Sequence, residues 1–216
     1  MRVLVAVPAK RDMLWSRQVK SVLDLRWDDD RQIDTLFLVD GDKQIRWANL
    51  CRKLNDARDA ALRGGYDALL TIESDILPPP DALEKLAAVD ADVVYGLFVL
   101  RFAPYHWNAT LAMRPQGYIE LLSADREAAR EAWGKVIECK GHGQGICLIH
   151  RHVLEAIEFR NPKPELYAQD WFFSFDCQDL GFVQKMHLGV ACGHIDGKRV
   201  LWPDPEEEEL FSETAL

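Results

Sequence analysis

Short apolar runs rich in β-formers alternate with helical patterns along the first hundred residues: Val3 to Val7, Thr35 to Val39, Ala68 to Ile72 and Asp92 to Leu100. Such alternation predicts a parallel α/β sheet with helices as crossovers. Between the first two runs Val19, Val22 and Leu23 recur at helical spacing. Between the next two, Leu50, Leu54, Ala57 and Ala61 do so before Gly64-Gly65 stops the helix. Both helices are expected to lay an amphipathic face on the sheet. After the third run Pro78-Pro79-Pro80 breaks the chain, and Asp81 is placed to cap a helix that turns Leu83, Leu86 and Ala87 inward.

Beyond Arg101 the strand candidates shorten, to Ala109 to Met113, Tyr118 to Leu122, Val136 to Cys139 and Ile146 to Ile149, with a charged helix near Asp125 to Trp133. This half is α+β in character. A later buried strand, Gly189 to Cys192, runs into Gly193-His194-Ile195-Asp196-Gly197, and an aromatic-rich helix is expected to open near Asp170. Pro203 to Glu209, with four consecutive glutamates, reads as solvated. The 216 residues are enough for one substantial core. The expected organisation is a single domain over 1–205, with halves at 1–100 and 101–205, and an acidic tail at 206–216.

Charge narrows the partners. A formal charge of −9 sets the surface as a whole against polynucleotides and anionic membranes, while leaving room for a local basic cleft. The run Val93 to Leu100 is far short of the roughly 20 apolar residues that span a bilayer, and Val3 to Ala9 is too short for the core of a signal peptide. Cys51, Cys139, Cys147, Cys177 and Cys192 form no C-x-x-C pair and are odd in number, which suits a reduced, cytoplasmic setting.

Three clusters carry candidate chemistry. The apolar strand Ala68 to Ile72 leads directly into Glu73-Ser74-Asp75, at the carboxyl end of a strand, where open α/β sheets hold their ligands. In an extended segment residues two apart project to one side, so Glu73 and Asp75 are expected to converge on one cation; Mg²⁺ or Mn²⁺ takes few protein ligands when a diphosphate supplies the rest. Read alone, the triplet equally describes two surface acids. His194 follows another buried strand, as a ligand for a transition metal or as a hydrogen-bonded structural residue. Asp170 opens an aromatic segment, either capping its helix or acting as a general base, and Trp171 offers a face for stacking a sugar or a side chain for the core.

In order and spacing these segments resemble the GT-A glycosyltransferases, especially the family 2-like enzymes, over Arg2 to Gly197. The matching segments are the strand Val3 to Pro8, Leu38-Val39-Asp40-Gly41-Asp42, Leu54-Asn55-Asp56-Ala57-Arg58, Gly65-Tyr66-Asp67 and the strand to Glu73. The resemblance implies an α/β GT-A fold, with a mostly parallel central sheet flanked by helices and a smaller α+β acceptor-side half. Glu73-Ser74-Asp75 stands at the family's D-x-D motif, with glutamate in place of the first aspartate, implying metal binding by Asp75 with help from Glu73. Pro8, Asp40 and Arg58 fall on the donor side: Asp40 at the base or ribose, Arg58 near the diphosphate. Gly143-Gln144-Gly145 looks like the acceptor-side loop, Asp170 takes the catalytic base's place, and His194 matches the histidine that completes the metal or diphosphate site.

The implied activity is metal-dependent transfer of a sugar from a nucleotide-diphosphate donor to a hydroxyl acceptor, by inversion, with Mn²⁺ or Mg²⁺ as cofactor. Leaving-group charge then meets the cation while Asp170 removes the acceptor proton. One rival is a sugar-phosphate nucleotidyltransferase, which usually carries a glycine-rich basic loop after the first strand, where this chain has Pro8-Ala9-Lys10-Arg11. Another is a GT-A-like module that binds a nucleotide sugar or glycan without turnover. Neither G-K-[ST] nor G-x-G-x-x-G occurs.

Overall fold

The apolar runs become strands whose alternate residues feed two different cores. The computed structural model describes residues 1–10, 15–27, 33–40, 46–114, 118–141, 143–163 and 168–216, without the side chains of 10, 40 and 46–48. The first half runs β1 (Val3–Lys10), α1 (Ser16–Leu23), β2 (Asp34–Asp40), α2 (Arg46–Arg63), β3 (Ala68–Ile72), β4 (Ile76–Leu77), α3 (Ala82–Ala87) and β5 (Val93–Leu97). There follow β6 (Thr110–Arg114), β7 (Tyr118–Leu121), α4 (Arg126–Ala132), β8 (Val136–Glu138), β9 (Ile146–His150) and α5 (Arg151–Ala156). The chain closes with α6 (Gln169–Asp179), β10 (Gln184–Ala191), β11 (Gly193–Asp196), β12 (Arg199–Pro203) and β13 (Phe211–Ala215).

Among the described residues the main sheet has seven strands in the order β2-β1-β3-β9-β5-β10-β8. β1 runs parallel to β2 and β3, and β5 parallel to β10. β9 enters antiparallel between β3 and β5, and β8 is antiparallel to β10, so the sheet is mixed. Because β9 and β10 come from the second half of the chain, both halves share one sheet.

Every residue of β3 and β5 is buried, as strands covered on both faces must be. On one face Leu4, Ala6 and Leu69 meet Leu54, Ala57 and Ala61 of α2, Val153 and Leu154 of α5, and Phe173 of α6. On the other, Val5, Leu70 and Ile72 meet Val22 of α1 with Leu83 and Leu86 of α3. Full burial of each such side chain is worth roughly 1.5–3 kcal/mol. Leu23 departs from expectation and is 65% exposed, since its neighbour Val22 takes the packed position on α1. Asp81 stands at the N-cap of α3 without a side-chain cap bond, its carboxylate going instead to Lys85 Nζ at 2.8 Å.

All five cysteines are free and buried. Burial pushes the Cys51 thiol up to about 11 and the Cys139 thiol up to about 12. Free and buried, the five thiols pack as small apolar side chains of the interior.

A second sheet, β13-β12-β11-β4, joins the chain's last strands to the segment after β3. It also gives the acidic stretch a structural neighbour. β13 pairs with β12 from Arg199↔Ala215 to Pro203↔Phe211, Leu210 is buried, and its carbonyl accepts Trp107 Nε1–H at 2.7 Å. The glutamates, read as part of a solvated segment, are followed at once by paired structure. Deleting residues 206–216 removes Leu210 from the core and leaves a fully buried indole N–H without its acceptor. The expected cost is roughly 3 kcal/mol of stability, read by denaturant melts. An unchanged midpoint would show that this segment contributes nothing to the fold.

Candidate functional site

Two strand pairings bring Asp75 and His194 together. After β3 the chain turns through Glu73, whose carbonyl accepts Ile76 N–H at 3.0 Å. Glu73 and Asp75 therefore sit in a tight turn rather than in the extended segment expected, because β4 must fold away to join the second sheet. There β4 pairs with β11 through His194↔Ile76, and Ile195 N donates to Asp75 O at 2.8 Å. His194 Nε2 ends 3.8 Å from Asp75 Oδ2.

The electrostatics are those of a buried carboxylate between two nitrogen partners. Asp75 is 5% exposed, and its Oδ2 accepts from Arg101 Nη1 at 2.6 Å. Burial works to raise the carboxyl's pKa, but His194 and Arg101 outweigh it and hold Asp75 below its ordinary value. Only the ring can donate to a carbonyl, so the 2.6 Å contact to Val99 O places a proton on His194 Nδ1. The help that His194 gives Asp75 belongs to the protonated ring; in the neutral imidazole, the form that binds a metal, Nε2 carries the lone pair. A carbonyl that orients the ring from behind is the usual companion of a metal-binding histidine.

A cavity of about 750 Å³ opens over this pair, within the size range of small-molecule sites. Of the sequence-selected residues, Pro8, Glu73, Asp75, Gly143, Gln144, Gly145, Asp170, Trp171 and His194 line it. Gly143 takes φ +82°, a conformation that favours glycine. At Gly145 a Cβ would lie 2.6 Å from Phe98 Cε1, and its carbonyl accepts Glu73 N–H at 2.8 Å. The loop is thereby locked beside the acidic turn. Asp170 lies in the first turn of α6, two residues after the N-cap Ala168; its Oδ2 accepts Gly143 N–H at 3.0 Å and its Oδ1 accepts Trp171 N–H at 2.9 Å.

Two expected donor-side residues stand apart. Arg58 does not line the cavity: its Nε donates to Leu154 O and Ile157 O, fastening α2 to the end of α5. That placement corrects the expectation that it approaches a diphosphate. Asp40 ends β2, and the reach of its side chain lies outside the described residues. The cavity also draws in Asn49, Lys53, Phe98 and Arg101, none of which the sequence reading selected. For Arg101 a signal was available, since it directly follows the apolar run Val93 to Leu100 and so occupies the same kind of position as Glu73. Asn49 and Lys53 are buried polar positions on α2 with no such marker.

Whether these side chains suit a cation can be judged from their unsatisfied atoms. Asp75 Oδ1, His194 Nε2, both amide atoms of Gln144 and Gln169 Oε1 are buried without a hydrogen-bond partner, and all four residues line the cavity. Native proteins seldom leave such groups unpaired except where a ligand or water completes them. Among the described residues no three His, Cys, Asp or Glu side chains form a closed cage. One carboxylate and one imidazole, with further oxygens from a diphosphate, fit Mn²⁺ or Mg²⁺.

No family model matches the chain, and no curated protein matches it in sequence. Solved structures do match. The crystal structure of A197 from STIV aligns with a TM-score of 0.62 at 20% identity, over 96% of this chain and 92% of that one. GalNAc-T7, crystallised with UDP, GalNAc and Mn²⁺, aligns with a TM-score of 0.60 at 12% identity, over 90% of this chain. The aligned part is 44% of the GalNAc-T7 chain, so this protein corresponds to less than half of that neighbour. At these identities the likeness is one of architecture: the chain has a GT-A-like fold.

Proposed function

We propose that this protein is a glycosyltransferase that binds a nucleoside-diphosphate sugar and a divalent cation in the cavity beside Asp75, and transfers the sugar to an acceptor hydroxyl. One observation carries the reading: Asp75 and His194 present unpartnered buried ligand atoms in the same cavity as a carboxylate, Asp170, on a GT-A-like frame. GalNAc-T7, of the same architecture, was crystallised with UDP, GalNAc and Mn²⁺, and a donor of that class suits a cavity of this size. No observation favours nucleotidyl transfer or binding without turnover over this reading.

Each side chain has a task in it. Asp75 and His194 would hold the cation, with Glu73 at its edge; when bound, the ion supplies Lewis-acid stabilisation of the departing diphosphate. Gly143 and Gly145 let the backbone approach the donor sugar, and the Gln144 amide offers both a donor and an acceptor for sugar hydroxyls. Trp171 provides an aromatic face at the acceptor side. Asp170 is held by Gly143 N–H and Trp171 N–H in a fixed orientation, and its remaining lone pairs can take the acceptor's proton as oxygen attacks the anomeric carbon. A single displacement from the face opposite the diphosphate inverts the anomeric centre.

A panel of nucleotide sugars with Mn²⁺, followed by release of nucleoside diphosphate, tests the reading. With the donor so identified, Asp75→Asn is expected to cost about 3 kcal/mol in transition-state binding, near a hundredfold in rate, with the thermal midpoint little changed. Full turnover in that variant would remove Asp75 from the chemistry. For Asp170→Asn the expectation is a fall in kcat of roughly 100- to 10,000-fold with donor affinity kept. Unaltered kcat would mean that the proton leaves by another route.

A further inference from the structure

Arg101 and Lys53 line the cavity as cations without an assigned task, and of the two Arg101 touches Asp75. Its Nη1 lies 2.6 Å from Asp75 Oδ2 and 3.5 Å from Ile195 O, and its side chain is 29% exposed while that of Asp75 is 7% exposed. Asp75 Oδ2 is also the oxygen nearest His194 Nε2, at 3.8 Å. Two bonds of about 2 Å to one hard divalent ion can span roughly 4 Å, so an ion bridging the nearest pair of ligand atoms, Asp75 Oδ2 and His194 Nε2, would come to this same oxygen, and the unpartnered Oδ1 could join it in bidentate binding. An ion on Oδ2, and a guanidinium nitrogen 2.6 Å from that atom, would stand no more than about 5 Å apart. Two positive charges at that distance in a partly buried site repel strongly.

We propose that Arg101 is an exchangeable counter-cation: its guanidinium pairs with Asp75 Oδ2 in the absence of a divalent ion, is displaced when the ion binds, and then turns to the donor's diphosphate. This rests on the metal-and-donor reading of the same site. The exchange needs no large motion, because Arg101 already lines the cavity, and among the described residues its one short contact is to a single carboxylate oxygen, with Ile195 O at the longer distance of 3.5 Å. A planar guanidinium fork suits diphosphate oxygens, so its new position is favourable only when the nucleotide is present. Without nucleotide, the ion must break an existing ion pair to bind; with nucleotide, the released arginine gains a partner. Metal and nucleoside diphosphate therefore strengthen each other's binding beyond their direct contact, and by linkage the effect is reciprocal.

The test titrates Mn²⁺ alone, with free ion followed by electron paramagnetic resonance, and repeats the titration in saturating UDP. Arg101→Gln is expected to bind Mn²⁺ alone roughly 5- to 150-fold more tightly than the parent, the usual range of such couplings. UDP should then raise its Mn²⁺ affinity by a smaller factor than in the parent protein. Arg101→Met keeps the aliphatic stem in place and is read in the same way should the glutamine variant fail to fold, judged by near-UV circular dichroism. If a folded Arg101 variant binds Mn²⁺ no more tightly than the parent, while Asp75→Asn abolishes binding, the exchange is wrong and the metal site stands. If Mn²⁺ binds equally well without Asp75, or neither protein binds Mn²⁺ even with UDP, the metal reading itself falls with it.

Discussion

A carboxylate that is 5% exposed must be compensated where it stands, and the arrangement around Asp75 organises the whole site. Burying an ionised group without partners costs several kcal/mol. Arg101 supplies that compensation by direct contact, His194 faces the same oxygen at 3.8 Å, and each arrives from a different part of the chain. Arg101 comes from the segment leaving β5, and His194 from β11, held against β4 by the second sheet. Pairing β4 with β11 is thus the structural condition for the proposed chemistry. Without it, the acidic turn would lie open at the end of β3.

The supporting frame is the large mixed sheet. β9 lies between β3 and β5, so the loop entering it, Gly143 to Gly145, passes beside the acidic turn and is fixed there by Glu73 N–H to Gly145 O. The same loop orients Asp170 through the amide of Gly143. The residues proposed as cation ligands and as base are linked through one short stretch of backbone, which ends in Gly145, where a Cβ would lie 2.6 Å from Phe98 Cε1.

Much of this frame is legible in the sequence. Alternating apolar runs located β1, β2, β3 and β5, because a strand covered on both faces leaves a nearly continuous apolar signature. Strand-end position singled out Glu73, Asp75 and His194, and all three line the cavity. The pairing of β4 with β11 was not legible, since β4 has only two residues and carries no periodicity of its own. Arg58 misled for a related reason: a basic residue on an amphipathic helix gives no sign of whether it meets a ligand or, as here, two backbone carbonyls of a neighbouring segment. β13 was hidden behind a run of glutamates whose charge outweighed the short strand that follows it.

The central claim is that Asp75 and His194 share one divalent ion next to a nucleoside diphosphate. Crystals grown with Mn²⁺ and UDP, examined by anomalous scattering at the manganese edge, test it most directly. The account predicts a peak within bonding distance of an Asp75 carboxylate oxygen and of His194 Nε2, with the diphosphate completing the shell. A manganese peak held elsewhere, with Asp75 still paired to Arg101 and His194 bound to no ion, would contradict it.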